Sequence, residues 1–302
     1  MTKVPGLHHV TAIAGNAQAN ARFFTGVMQQ RLVKKTVNFD APDTYHLYYG
    51  DQLGNPGTIL TFFPFAAAAR GRAGPGMASA YAYDVPDAAF DGWVEQAAGL
   101  AGGASVTERF GARVLTLRDP DNAPVELVAG GASQGRIGGF HAVTLWQADI
   151  APTARLLTDV FGYVEAGHET RAGAERLRLV APGDATGRIV DIMRKPGAVA
   201  GQPGAGTIHH VAFRARNQAE QDGWIDTLAS AGHRTTPVID RQYFNAIYFR
   251  EPGGVLFEIA TDQPGFAVDE PAATMGQALM LPAKHEHLRA RLEQTLPQLV
   301  TT

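Results

Sequence analysis

The chain repeats itself, and this limits its architecture more than any single motif does. Leu7-His8-His9-Val10-Thr11 returns as Phe140-His141-Ala142-Val143-Thr144, 133 residues on, and the same interval carries Ala21-Arg22-Phe23-Phe24-Thr25-Gly26-Val27 onto Ala154-Arg155-Leu156-Leu157-Thr158-Asp159-Val160. An interval of 132 relates Arg118-Asp119-Pro120-Asp121-Asn122 and Val125-Glu126-Leu127 to Arg250-Glu251-Pro252-Gly253-Gly254 and Phe257-Glu258-Ile259. Asp91-Gly92-Trp93 and Asp222-Gly223-Trp224 match with one residue of slippage. Self-similarity of this kind predicts one supersecondary unit used several times. Four units of about 55–60 residues are expected, at 6–65, 76–130, 136–196 and 205–262, separated by Gly- and Pro-rich connectors at 66–76, 130–139 and 196–206. Each reads as a strand, an amphipathic helix such as Ala88–Ala98 or Gln218–Ser230, and three further strands, a βαβββ module in an α+β fold. Residues 263–302 are expected to form a loop and then a charged helix, Ala283–Gln294, closed by Leu296-Pro297. Its Leu288, Leu292 and Leu296 stripe would cover core surface.

Composition removes several classes of function. The chain has no cysteine, so disulfides, thiolate metal sites and a Cys nucleophile are excluded. A net charge of -3 offers no footprint for nucleic acid, and no apolar run approaches a membrane span. The start Met1-Thr2-Lys3-Val4-Pro5 leads into a strand without a signal-peptide apolar region. The expectation is a cytoplasmic protein acting on something small.

The chemistry concentrates in unit four. Gly206–Phe213 carries His209-His210 on an apolar, β-branched run, and Glu258 stands between Phe257 and Ile259. A carboxylate in such a place must be neutralised, paired or metal-bound, because an isolated buried charge is too costly. Glu251-Pro252-Gly253-Gly254 is a turn signal, and a hairpin centred on Gly253 sets Tyr248 opposite Glu258 on one face. Strand alternation lets only one of His209 and His210 point the same way.

Gly6-Leu7-His8-His9-Val10-Thr11-Ala12-Ile13-Ala14-Gly15, Tyr45-His46-Leu47-Tyr48-Tyr49-Gly50-Asp51 and Ile208-His209-His210-Val211-Ala212-Phe213 resemble the vicinal oxygen chelate superfamily of glyoxalases, bleomycin-resistance proteins and extradiol dioxygenases. In particular they look like its ring-cleaving branch that includes hydroquinone 1,2-dioxygenases, and the resemblance covers nearly the whole chain. It implies two paired-module barrels, modules one and four carrying the metal and modules two and three forming a second barrel. Lining up the units puts His9 and His210 at one first-strand position, against Ala142 in unit three and Ser79 or Ala80 in unit two. The equivalent last-strand residues are Thr61, Glu126, Asp191 and Glu258. The complete set is His9, His210 and Glu258, a two-His, one-carboxylate facial triad suited to Fe(II), with Mn(II) compatible with the same ligands. Thr61 stands where a glyoxalase-type second acid is needed, and this argues against that chemistry.

The resemblance further implies that His8, Thr11, His209, Arg241 and Tyr248 line the substrate side of the metal, with Arg241 a permanent cation for a phenolate or oxyanion. His8 and His209 would need a twist or bulge to get there. His46, alternating with Tyr48, is a candidate for the pocket mouth. His141 matches His8 rather than His9, while His168, His233, His285 and His287 read as turn or surface residues. Glu126 and Asp191 read as paired or exposed groups at a site without metal. The activity implied is cleavage of a hydroquinone, substituted and chlorinated ones included, or of a related diphenol, with a small aromatic substrate and dioxygen as partners and a homo-oligomer through exposed strand edges. A glyoxalase-like metal-dependent lyase or isomerase, and a non-catalytic small-molecule binding protein, are the other readings of the same fold.

Overall fold

A computed structural model describes residues 3–132 and 136–300; residues 133–135 of the expected 130–139 connector lie outside it. Unit one supplies β1 (Leu7–Ala14), α1 (Ala17–Ala21) widening into a π turn (Arg22–Val27), β2 (Arg31–Asn38), β3 (Ala41–Gly50) and β4 (Ile59–Pro64). Unit two supplies β5 (Met77–Val85), α2 (Asp87–Ala98), β6 (Ser105–Arg109), β7 (Ala112–Arg118) and β8 (Pro124–Ala129). Unit three supplies β9 (Phe140–Trp146), α3 (Ile150–Arg155) with its own π turn (Leu156–Val160), β10 (Val164–Arg171), β11 (Ala174–Val180) and β12 (Ile189–Arg194). Unit four supplies β13 (Thr207–Ala215), α4 (Gln218–Ser230), β14 (Ile239–Asp240), β15 (Phe244–Arg250) and β16 (Leu256–Pro264). The two π turns fall on the two copies of the 21–27 repeat, so similar local sequences wind the same way twice.

These strands make two eight-stranded sheets, ordered β14-β15-β16-β13-β1-β4-β3-β2 and β10-β11-β12-β9-β5-β8-β7-β6. Units one and four join through antiparallel β1 and β13, units two and three through antiparallel β5 and β9. Each sheet curls into a half-barrel, with helices on its convex side. Asn217 caps α4 by accepting from Glu220 N, and Gln221, Trp224 and Leu228 are its buried stripe at helical spacing. Trp224 packs against Phe161, which also touches Phe213, so one core runs from unit three into unit four. Gly206, at φ +86, sets the start of β13 against the unit-two hairpin; a Cβ there would sit 2.6 Å from the Asp121 carbonyl oxygen.

The C-terminal segment differs from the expected single helix. Ala283–Leu288 winds as a 3-10 turn and only Arg289–Thr295 is α-helical, here α5. The break coincides with His285 turning inward to donate to the Phe39 carbonyl. Leu292 and Leu296 are buried as the stripe requires, and Lys34, fully buried on β2, is matched by Asp269 and Glu270 from the preceding loop. No helix among the described residues is long and apolar enough to cross a membrane.

Candidate metal centre

Two β-bulges build the site. In the β1–β13 pairing Leu7 faces Phe213 and His9 faces Ala212, so His8 is an extra residue; likewise Thr11 faces His210 and Ala12 faces Ile208, which makes His209 the extra one. A bulge lets two consecutive side chains escape strict alternation. The two strands are related by a local two-fold, and each contributes a His-His pair. His9 and His210 are 2% and 5% exposed, and Glu258 on β16 is fully buried beside them.

The three side chains converge. His210 Nε2 lies 2.9 Å from Glu258 Oε2, His9 Nε2 lies 3.4 Å from the same oxygen, and the two Nε2 atoms are 3.3 Å apart. Yet neither Glu258 oxygen makes a hydrogen bond. Buried carboxylate oxygens without donors, faced by imidazole nitrogens at bonding distance but in the wrong direction to donate, are the arrangement of ligands aimed at a common cation. The group His9, His210 and Glu258 could hold a metal ion. Burial, opposed by Glu258, lowers the His210 pKa, and although burial alone would raise the Glu258 carboxyl, His9 and His210 hold it below the usual range. A neutral imidazole and an ionised carboxylate are the protonation states ligation needs.

The neighbouring histidines orient the ligands. His8 Nδ1 is 2.9 Å from His9 Nδ1, and His209 Nδ1 is 2.8 Å from His210 Nδ1. With each ligand Nε2 turned toward the cation position, its Nδ1–H must donate and the neighbour's Nδ1 must accept, which fixes tautomer and ring plane. Burial pushes the His8 pKa down to about 3 and that of His209 down to about 4, so both are neutral acceptors near pH 7.

A cavity of about 410 Å³ opens onto this centre, lined by His9, His209 and His210, by Phe63, Phe65, Phe244 and Tyr48, and by Arg241, Tyr248 and His46. Of the residues expected on the substrate side, Arg241, Tyr248 and His209 line this cavity. His8 and Thr11 do not. His8 is 2% exposed behind His9, where Phe244 packs on both rings, and Thr11 is buried with its hydroxyl 2.9 Å from Thr61 Oγ1. The reason lies in the bulges: each His-His pair can send only one ring to the cation, and the ring behind it reaches the cavity on β13 but not on β1. Tyr248 faces Glu258 across the β15–β16 hairpin, as the turn arithmetic predicts. Its hydroxyl accepts from Arg241 Nε at 3.1 Å, and Arg241 Nη1 donates to Asp40 at 2.9 Å.

Sequence reasoning named His46 as a candidate for the pocket mouth but missed other lining residues. His46 sits between Thr61 Oγ1 at 2.7 Å and the Tyr48 hydroxyl at 2.8 Å, so both ring nitrogens are engaged. The alternation of His46 and Tyr48 was the signal for this pair. Phe244 and Asp40 carry no such signal, because they reach the site across the sheet. Of the remaining histidines, His141 is held by Asp84 at 2.7 Å, His168 is exposed near Glu165, and His233 lies against Phe249. The larger groove of about 780 Å³ around Arg31, Asp84 and Arg188 shares no lining residue with the metal centre.

Comparison with known proteins agrees with this geometry. Residues 139–259 match the model of the Glyoxalase/Bleomycin resistance protein/Dioxygenase superfamily. The Bacillus subtilis protein named "Putative ring-cleaving dioxygenase MhqO" is 43% identical over 97% of this chain and 96% of its own length. A chlorohydroquinone/hydroquinone 1,2-dioxygenase of Sphingobium indicum is 30% identical over 97% and 96%. A crystal structure of a Bacillus subtilis protein, named as a "putative dioxygenase", superposes with a TM-score of 0.94 at 41% identity, covering 100% of this chain and 99% of that one. With its two half-barrels and its bulged histidine pairs, the chain belongs to the glyoxalase/bleomycin resistance protein/dioxygenase superfamily, within its ring-cleaving branch.

Proposed function

We propose that the protein is an Fe(II)-dependent dioxygenase that opens the ring of a hydroquinone, with His9, His210 and Glu258 as the iron ligands. The observation that carries this reading is the convergence of those three buried groups at the base of a cavity walled by Phe63, Phe65, Phe244 and Tyr48. The similarity to a hydroquinone-cleaving enzyme supports the substrate class. When bound, a divalent iron with open coordination positions supplies a template for a phenolate and dioxygen and a path for electrons between them.

The protein's own groups supply the rest. The aromatic walls hold a planar ring by edge and face contacts and exclude water. His209 keeps its Nδ1 on His210 and, being neutral, carries its proton on Nε2, so it presents an N–H donor to the cavity, placed to hold a substrate or developing phenolate oxygen. His46 cannot serve, because both its nitrogens are bonded, and its role is to fix Tyr48. Arg241, anchored by Asp40, donates into the Tyr248 oxygen, which leaves the Tyr248 proton free to point at a developing oxyanion. Burial and the facing Glu258 raise the Tyr248 pKa well above its ordinary value, so that proton stays on the phenol.

The test is oxygen consumption by anaerobically Fe(II)-reconstituted protein offered hydroquinone, chlorohydroquinone, methylhydroquinone and catechol in parallel. One dioxygen consumed per ring, with loss of the aromatic absorption band, is the expected result. Absence of uptake with every diphenol, despite one bound iron per chain, would refute the proposal.

A further inference from the structure

The half-barrel without the metal triad has a cavity of its own, about 360 Å³, whose lining includes Arg176, Trp146, Met193, Arg70, Arg72 and Arg118. It shares no lining residue with the cavity at the metal centre. The acids at the positions equivalent to Glu258 are already neutralised. Glu126 takes both Arg109 nitrogens at 2.6 and 2.8 Å, and Asp191 takes Arg178 Nε and Nη2 at 2.8 Å each. Arg176, two residues before Arg178 on β11 and so on the same face, is a surplus cation. Its Nη1 is buried and has no hydrogen-bond partner. Trp146 Nε1, in the same lining, is also buried without a partner. Burial and the neighbouring Arg109 cation lower the Arg176 pKa, opposed by Glu126, Asp191 and Glu169.

An unpaired buried donor is costly, and more so when it carries a charge. Two such donors in one cavity wall form a receptor for an acceptor group, and the guanidinium makes that acceptor an anion. The exposed Arg70, Arg72 and Arg118 add positive field at the mouth, against Asp121, whose carboxylate already accepts from Gly15 N, and Glu126. Met193, Ala80 and Pro124 give the cavity an apolar side. We propose that this second cavity binds a small organic carboxylate, its oxygens on Arg176 Nη1 and Trp146 Nε1 and its apolar body against Met193, Ala80 and Pro124. A body of that kind separates the ligand from an inorganic oxyanion, which would leave the apolar side unused.

The experiment is isothermal titration calorimetry of the metal-loaded full chain with benzoate, cis,cis-muconate and inorganic phosphate. At least one carboxylate is expected to bind one to one with a dissociation constant near or below about 1 mM. Arg176→Met should weaken it about tenfold or more, without lowering Tm, because it removes an unpartnered charge. Trp146→Phe, which keeps an aromatic ring but loses the N–H, should weaken it several-fold, and Glu258→Gln at the metal centre should leave it unchanged. The proposal is overturned if no carboxylate gives heat, if Arg176→Met and Trp146→Phe bind like wild type, if binding is lost in Glu258→Gln, or if phosphate binds as tightly as the best carboxylate. None of these readouts depends on which reaction the metal centre catalyses.

Discussion

The two half-barrels share one backbone plan and use it for opposite ends. In both, the paired first strands bulge at the same places. Ser79 is the extra residue on β5 as His209 is on β13, and His141 is the extra residue on β9 as His8 is on β1. In both, the last strands put Thr61, Glu258, Glu126 and Asp191 in register with the first strands. What differs is the residue across from the acid. Tyr248 faces Glu258 and leaves the carboxylate unbonded, whereas Arg178 faces Asp191 and Arg109 reaches Glu126, closing each carboxylate with two charge-assisted bonds. With Ala80 and Ala142 where imidazoles would stand, the second sheet sets no imidazole beside its two arginine-paired acids. A cup that could hold a metal and an ion-paired cup therefore differ by a handful of side chains on a repeated scaffold.

The sharpest way to break that comparison is to disable one acid in each sheet. Glu258→Gln is expected to lose stoichiometric iron and about a thousandfold of oxygen uptake, roughly 4 kcal/mol of transition-state stabilisation. Asp191→Asn should leave iron content and turnover untouched, as read by metal analysis and an oxygen electrode. Equal losses in the two variants would mean that the second sheet also holds metal.

Removing an arginine clamp comes next. Arg178→Met strands Asp191, which is fully buried, and is expected to lower unfolding free energy by about 3 kcal/mol in denaturant titrations. Tyr248→Phe, the matching change in the first sheet, should leave unfolding nearly unaltered.

The hairpin acids sharpen the contrast through pH. Glu251 is buried and accepts from Gly253 N, Val255 N, Gln147 and Thr153, four donors in all. Its repeat partner Asp119 accepts from Asp121 N and Ala123 N on one oxygen, and burial pushes its carboxyl up to about 7. The unfolded chain releases that proton near 3.8 and the folded chain only near 7. The folded state therefore binds more protons across that window, and stability declines as pH rises through it. Asp119→Asn keeps the accepting oxygen and cannot ionise, so it should gain on wild type by about 3 kcal/mol between pH 4 and 7 in thermal melts. A difference that is flat with pH would refute the assignment.

The smallest expected effect is catalytic. Tyr248→Phe removes one oxyanion donor while Arg241 remains, and should lower kcat about tenfold with iron content unchanged. Unaltered kcat would remove Tyr248 from the proposed chemistry.

Much of this was legible without coordinates, for reasons that lie in local rules. The repeat predicts four βαβββ units because each copy carries the same strand and helix periods, and the two π turns show that similar segments find the same backbone solution. The Glu251–Gly254 turn sets the Tyr248 and Glu258 register because a hairpin pairs residues that are close in sequence. Other features were out of reach. The bulges that turn His8 and His209 toward their neighbours arise only when β1 meets β13, about two hundred residues apart in the chain. The expected seat of His8 and Thr11 in the cavity failed for that reason, since strand alternation says which face a residue takes but not how deep it lies.

Sequence by itself determined the module, its copy number, the pairing inside each hairpin and the residue types that could meet a metal, all of them consequences of spacing along one strand or turn. Tertiary structure alone decided which imidazole faces the cavity and which stands behind it, that Arg241 is anchored by Asp40 from another unit, and that Arg109 and Arg178 close the acids of the second sheet. Those outcomes depend on which strands come to lie side by side and on side chains that cross from one strand to the next, and sequence spacing holds no record of either.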